Sequence, residues 1–99
     1  MRWTWDPEKN RVNRRDHKVS FEIAERVFGD PLAITLPDPY PNEQRWRTIG
    51  KPSTQVDVIL FVVHTWPAEN DGSEEVGRII ISARKATRYE RRAYEEGTF

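Results

Sequence analysis

The spacing of apolar and polar residues changes period several times along the 99-residue chain. Arg2-Trp3-Thr4-Trp5 alternates, which predicts a short strand. Asp6-Pro7 then predicts a helix start, with aspartate as N-cap and proline at the first helical position. This helix should run to about Asp16 and is nearly all polar. Val12 is its only aliphatic residue, so arginine and lysine stems are expected to cover much of its inward stripe. Ser20 should cap a second helix, Phe21 to Phe28, in which Phe21, Ala24, Val27 and Phe28 form an apolar stripe. Gly29-Asp30-Pro31 ends it. Leu32 to Leu36 reads as a short strand, and the prolines at 37, 39 and 41 make a connector that cannot enter a sheet interior.

From Glu43 to Ile49 the chain alternates again, which places Arg45, Arg47 and Ile49 on one face and Gln44, Trp46 and Thr48 on the other. Val56 to Thr65 is apolar on both alternations and should be a central strand. A long acidic loop, 66–75, follows. Val76, Ile79, Ile80 and Ile81 predict a second buried strand, centred on Arg78–Ser82. Thr87-x-x-Glu90 is a capping box for a last helix, whose repeat of Ala86, Tyr89 and Ala93 puts Tyr89 toward the core. The elements predict one α+β domain over residues 1–99: two N-terminal helices against a small antiparallel sheet of roughly four to five strands, closed by a C-terminal helix.

Composition narrows the class. Hydrophobic residues are 36% and charged residues 32%, polar for a globular protein, with four Trp, four Phe and three Tyr supplying buried area. Cysteine is absent and histidine occurs twice, which excludes disulfides and thiolate zinc sites and disfavours a His-rich metal site. No membrane-spanning or secretory pattern stands out, so a cytoplasmic protein is expected. Sixteen basic and sixteen acidic residues cancel, but they are segregated. Residues 84–92 hold Arg84, Lys85, Arg88, Arg91 and Arg92 against Glu90 alone, whereas Glu69 to Glu75 is acidic. Two readings of the basic corner stand at this point: cations held against a phosphate chain, or a solvated helix face.

The stretch R-I-I-I-S-A-R-K-A-T-x-x-E-R-x-x-Y, Arg78 to Tyr94, resembles the C-terminal signature of the BrnT-type toxins, ribonuclease members of bacterial type II toxin–antitoxin pairs. W-x-W-D-P-x-K at Trp3 to Lys9, N-R-R-x-H-x-V-S-F-E-x-A at Asn13 to Ala24 and V-F-x-D-P-L-A at Val27 to Ala33 match in order, as do E-x-R at Glu43 to Arg45 and His64-Thr65. The family usually has glycine where Lys18 stands. The resemblance covers essentially the whole chain. It implies a RelE/ParE-like fold, RNA cleavage that stops translation, and a small ribbon-helix-helix, BrnA-like antitoxin as partner. It also implies a dimer of toxin–antitoxin pairs that meets operator DNA only through the antitoxin.

Metal-free RNA cleavage needs a base for the ribose 2′-OH, cations around the phosphorane and an acid for the leaving oxygen. His64, Arg78, Arg84 and Glu43 are the catalytic candidates. If the strands pair with positions 64 and 78 opposite, His64 and Arg78 share a face that continues to Ser82 and Arg84. Arg45, Arg47, Lys85, Arg88, Arg91, Tyr94 and His17 are candidates for RNA binding. Each has a structural alternative: a strand-end or helix-end histidine, a paired cation, and for Glu90 the capping box. No cofactor or metal is expected, since no carboxylate cluster has metal-ligand spacing. A non-catalytic module of the same fold, binding an antitoxin or poisoning another target such as a topoisomerase, stands as the rival reading.

Overall fold

Each helix begins on a side chain that accepts the N–H groups its first turn leaves over. Asp6 accepts from Glu8 at the start of α1 (Pro7–His17), and Ser20 accepts from Ile23 at the start of α2 (Phe21–Glu25). Thr87 and Glu90 close a full capping box on α3 (Arg88–Glu96). The computed structural model describes residues 3–39, 41, 44–65 and 78–98, and of Arg78 the backbone alone. Glu43 and the acidic loop lie outside the described residues. Among those residues no helix is long and apolar enough to cross a membrane.

The second helix is shorter than its apolar stripe predicts. After Glu25 the chain tightens into a 3₁₀ turn, Arg26–Gly29, which still buries Val27. Lys18 takes a left-handed backbone at the end of α1, with φ 60° and its N–H donating to the Arg14 carbonyl. Glycine would adopt that conformation without strain.

Five strands form one sheet: β1 (Trp3–Thr4), β2 (Ile34–Asp38), β3 (Arg45–Gly50), β4 (Leu60–His64) and β5 (Arg78–Lys85), in the order β1-β5-β4-β3-β2. The sheet is mixed and not wholly antiparallel, because β1 pairs with β5 in parallel. No hairpin joins those two strands: the chain leaves β1 directly into α1, so the connection leaves the direction free. The other pairs are antiparallel, and β4 is central as expected. Pro37 is accommodated because β2 is an edge. The strand starts later than its sequence suggests, at Ile34, leaving Leu32 exposed. Val56 to Ile59 likewise precede β4 instead of belonging to it.

Each face of the sheet carries its own core. On one, Leu60, Val62, Ile80 and Ala83 pack against Val19, Phe21, Ala24 and Val27, flanked by Trp3, Trp5, Phe28 and Val58. On the other, Ile49, Ile59 and Phe61 lie under Tyr94 of α3. The inward side of α1 is not lysine and arginine stems, as its polarity suggests, but two buried asparagines. Asn13 accepts from the Ala83 N–H and donates to the Ala83 and Val19 carbonyls at 2.7 and 2.8 Å, so its amide satisfies a stretch of β5 that β1 does not reach. Asn10 donates to Glu22 and accepts from the Phe21 N–H, tying α1 to α2. A polar helix is thereby fixed by hydrogen bonds where an apolar stripe would normally do it.

Candidate functional site

Residues directly opposite across antiparallel strands share a face, so the register assigns every strand side chain to one side of the sheet. The rows Leu36–Arg47–Val63–Ser82 and Ile34–Ile49–Phe61–Arg84 lie on the α3 side, with Asp38–Arg45 as a shorter third row. α3 covers the Ile49–Phe61 row through Tyr94. The next row stays partly exposed, with Arg47, Val63 and Ser82 all half-buried. Arg47 and Ser82 are two strands apart, about 10 Å. Arg84 stands two residues from Ser82 on the same strand, where α3 meets this open face. The expected placement of Arg45 and Arg47 on one face therefore holds, and Arg84 joins them.

Arg84 is held in place from two directions. Its two terminal nitrogens donate to Glu90 Oε1 and Oε2 at 2.7 and 2.9 Å, and its guanidinium lies 4.1 Å from the Phe61 ring centroid. Glu90 also accepts from the Thr87 N–H, so one carboxylate serves both the helix cap and the arginine. Burial pushes the Glu90 carboxyl up, but Arg84 and the Thr87 N–H outweigh that and hold it below the usual carboxylate range. Arg84 is raised in turn, with Glu90 as the main cause. The pair is nearly neutral as a unit. Nε and one Nη2–H of Arg84 have no partner among the described residues.

His64 occupies a different place from the one its sequence position suggests. A bulge after Val63 sets His64 opposite Ile80, not Arg78, so the assumed 64–78 pairing does not form. The imidazole is fully buried on the α1–α2 side, edge-on to Trp3 and Phe28 at 5.1 and 4.9 Å. Its Nδ1 lies 3.0 Å from the Thr65 carbonyl oxygen and must donate to it. Nε2 lies 2.7 Å from the Thr48 hydroxyl, which is itself 2.7 Å from the Thr35 hydroxyl. A base committed at both nitrogens beneath the opposite face of the sheet cannot reach a phosphodiester on the α3 side.

The other candidates are dispersed. Tyr94 is buried, not presented to a ligand: its hydroxyl donates to Asp30 Oδ2 at 2.7 Å, and burial with that carboxylate pushes its pKa up to about 12. Arg91 binds the Asp57 carboxylate and carbonyl. Lys85 falls on the α1–α2 side, in the row Gly50–Leu60–Lys85. His17 is exposed at the end of α1 beside Lys9 and Asp16, in a groove of about 240 Å³. Arg88 is exposed on α3. The contiguous basic corner is thus divided among three surfaces.

Asp30, inside the V-F-x-D-P-L-A stretch, serves as a tie. Burial raises its carboxyl, but the N–H groups of Lys51 and Leu32 and the Tyr94 hydroxyl more than offset this and hold it low. The 3₁₀ turn, the end of β3 and α3 are joined through it. Gly50 is required beside it, since a Cβ there would stand 2.8 Å from Val27 Cγ1.

Tyr89 is the functional candidate that the spacing hid. It was expected in the core and is 78% exposed, beside Arg88 and Arg92 on α3. The helix buries Ala93 and Tyr94 instead. The signal was the adjacent pair Ala93-Tyr94, which defines an inward stripe on its own.

A family model described as the ribonuclease toxin BrnT of type II toxin–antitoxin systems matches residues 5–90. No curated protein matches the chain.

Proposed function

The chain belongs to the BrnT family of ribonuclease toxins of type II toxin–antitoxin systems, and from that premise we propose that it is a metal-independent endoribonuclease whose RNA lies on the sheet face beside α3. Its action on RNA stops translation, and a ribbon-helix-helix antitoxin neutralises it in a complex with two copies of each chain. The fold is read as a small relative of the RelE/ParE type. The observation that carries the reading is the grouping of Arg45, Arg47 and Arg84 on one face, the face that α3 leaves partly open. Fixed guanidinium groups at a phosphorane lower its energy without reorganising when charge develops. Arg47 is the phosphate-stabilising residue in this reading, and Arg84, oriented by Glu90 and Phe61, offers its remaining N–H groups beside it. Arg88, Arg92 and Tyr89 extend the surface along α3, pairing cations with a ring on which a base can stack.

Attack by the substrate's own 2′-OH is the reaction this surface fits. Among the described residues no three His, Asp or Glu side chains converge to hold a metal ion, and a face rich in arginine disfavours one electrostatically. The purified chain should cleave RNA in excess EDTA and leave a 2′,3′-cyclic phosphate. A substrate with a 2′-deoxy group at the cleaved nucleotide should bind without reacting. Arg47→Ala should lower the cleavage rate at least about 100-fold, the scale of losing one charge-stabilising group. Cleavage of the deoxy substrate, or inactivation by chelation, would reject the mechanism.

A further inference from the structure

A broad cleft lies on the opposite side of the sheet from the arginine rows. It has a volume of about 770 Å³ and is bounded by the end of α1, α2, the segment 52–58 and the ends of β4 and β5. Its floor is aliphatic: Val19, Ile23, Val56, Val58 and Leu60. Ile23 and Val56 are 38% and 42% exposed, although both are large apolar side chains. Ile23 is the aliphatic residue of α2 that falls outside the stripe of Phe21, Ala24 and Val27, so the helix has a second apolar edge that the core does not use.

The rim is cationic. Arg14, Lys18, Arg26 and Lys85 surround the floor, with Glu22 as the one acid. Arg14, Arg26 and Lys85 have no ion-pair partner among the described residues. Glu22 is already occupied by the Asn10 amide, which lowers its carboxyl as the leading cause. These cations come from three separate segments, so no run of sequence announces the cluster.

Two kinds of partner suit a basic cleft, and the lining separates them. Single-stranded nucleic acid is held where aromatic rings stack its bases, and no Phe, Tyr, Trp or His lines this cleft. An aliphatic floor inside a ring of unpaired cations matches instead a peptide that presents apolar anchors flanked by carboxylates. We propose that this cleft receives an acidic amphipathic segment of the antitoxin, seated on Ile23 and Val56, on the side of the sheet away from the arginine rows. The proposal rests on the toxin–antitoxin reading for the existence of the partner. Arg84 faces the α3 side, and the cleft does not reach it.

The test uses the full chain co-expressed with the product of the reading frame beside its own, with RNA cleavage by the free chain measured in parallel. Ile23→Asp and Val56→Asp remove the apolar seat at exposed positions that tolerate substitution, and Val56→Leu keeps it. Both aspartate variants should lose at least tenfold in affinity for that product, chiefly through faster dissociation. They should cleave RNA as the wild type does. Arg26→Glu should slow association and weaken its salt dependence. Val56→Leu should bind normally. Amide exchange on the complex should show protection across residues 14–26 and 52–60. Unchanged affinity in both aspartate variants overturns the proposal, and so does a wild-type chain that does not bind the neighbouring product. Loss of RNA cleavage with the antitoxin complex intact would assign the cleft to nucleic acid instead. A change in the free chain's oligomeric state alone would assign it to self-association. Failure of RNA cleavage by the wild type itself strikes the function proposed above and leaves the binding result to be read separately.

Discussion

Removing Arg84 separates its clamp from the phosphate contact proposed for it, and the structure sets the size of the clamp. The clamp comprises two charge-assisted hydrogen bonds at 2.7 and 2.9 Å and the contact over Phe61. Fully buried bonds of this kind contribute about 1.5–3 kcal/mol, and exposed pairs about 0.2–1 kcal/mol. With Glu90 13% and Arg84 36% exposed at the side chain, the pair sits between these limits. A coupling of about 1–2 kcal/mol follows. The arginine–aromatic contact adds about 0.5–1 kcal/mol. Arg84→Ala should therefore cost about 1.5–3 kcal/mol, a fall in Tm of roughly 6–24 °C for a domain of this size.

Glu90→Gln keeps a side chain that suits the capping box and so isolates the ionic part of that loss. The double-mutant cycle between Arg84→Ala and Glu90→Gln, measured by urea denaturation at pH 7, should return the 1–2 kcal/mol coupling stated above. The coupling should also depend on pH in one direction. Glu90 has a folded-state pKa held below its ordinary 4.5, so its contribution is present above that value and is lost as pH falls through the lower folded one. The stability gap between wild type and Arg84→Ala should narrow in acid, below about pH 4. A coupling under about 0.3 kcal/mol, within ordinary additivity, or a gap that is the same at pH 3 as at pH 7, would refute the clamp. If Arg84→Ala lost cleavage while keeping its full Tm, Arg84 would be a phosphate ligand alone.

Lys18→Gly should stabilise the chain by about 0.5–1 kcal/mol in a denaturation series, because glycine adopts φ 60° without a Cβ penalty. A lower midpoint would show that the Lys18 Nζ bond to the Arg15 carbonyl outweighs the backbone term. His64→Ala should cost about 3–4 kcal/mol, the range for truncating a buried ring, and should leave the Thr48 hydroxyl without its ring partner. A stably folded, inactive His64→Ala would return the residue to the catalytic list. Tyr89→Ala should change stability by less than about 0.5 kcal/mol yet weaken single-stranded RNA binding at least about fivefold, at the low end of what one stacked base contributes. Unchanged RNA affinity would leave the exposed ring without a role in binding.

What could be read in advance depended on how local its cause is. The caps at Asp6, Ser20 and Thr87 involve residues two or three apart, and all three formed as the sequence implied. The face shared by Arg45 and Arg47 follows from period two alone. Register does not. After Val63 an extra residue on β5 sets His64 opposite Ile80 where the running register would give Ile81, far from the assumed Arg78, and no residue type in that stretch signals the extra position. Parallel pairing of β1 was equally invisible, because direction is set by where the intervening helices cross the sheet. Asn13 needed a partner 70 residues away, Ala83, to explain a helix with almost no apolar stripe.

The five cations from Arg84 to Arg92 illustrate why a charge run is a weak guide to a surface. Successive strand residues point to opposite faces, so Arg84 and Lys85 separate at once across the sheet. Three residues later the helix begins, and its period turns Arg88 and Arg92 outward while Arg91 reaches Asp57. Arg84 is compensated by Glu90, and Lys85 joins Arg14, Lys18 and Arg26 around an aliphatic cleft. The net charge of zero thus resolves into two cationic surfaces on opposite sides of one sheet, one floored by strand residues next to an exposed tyrosine and one floored by aliphatic side chains. A single sheet can then present RNA and an acidic peptide with separate sites. On this reading the two proposed sites share β4 and β5, the strands that carry residues of both. Ala83 sits between Ser82 and Arg84 on the opposite face and is held by Asn13 of α1, the helix whose end forms the cleft rim.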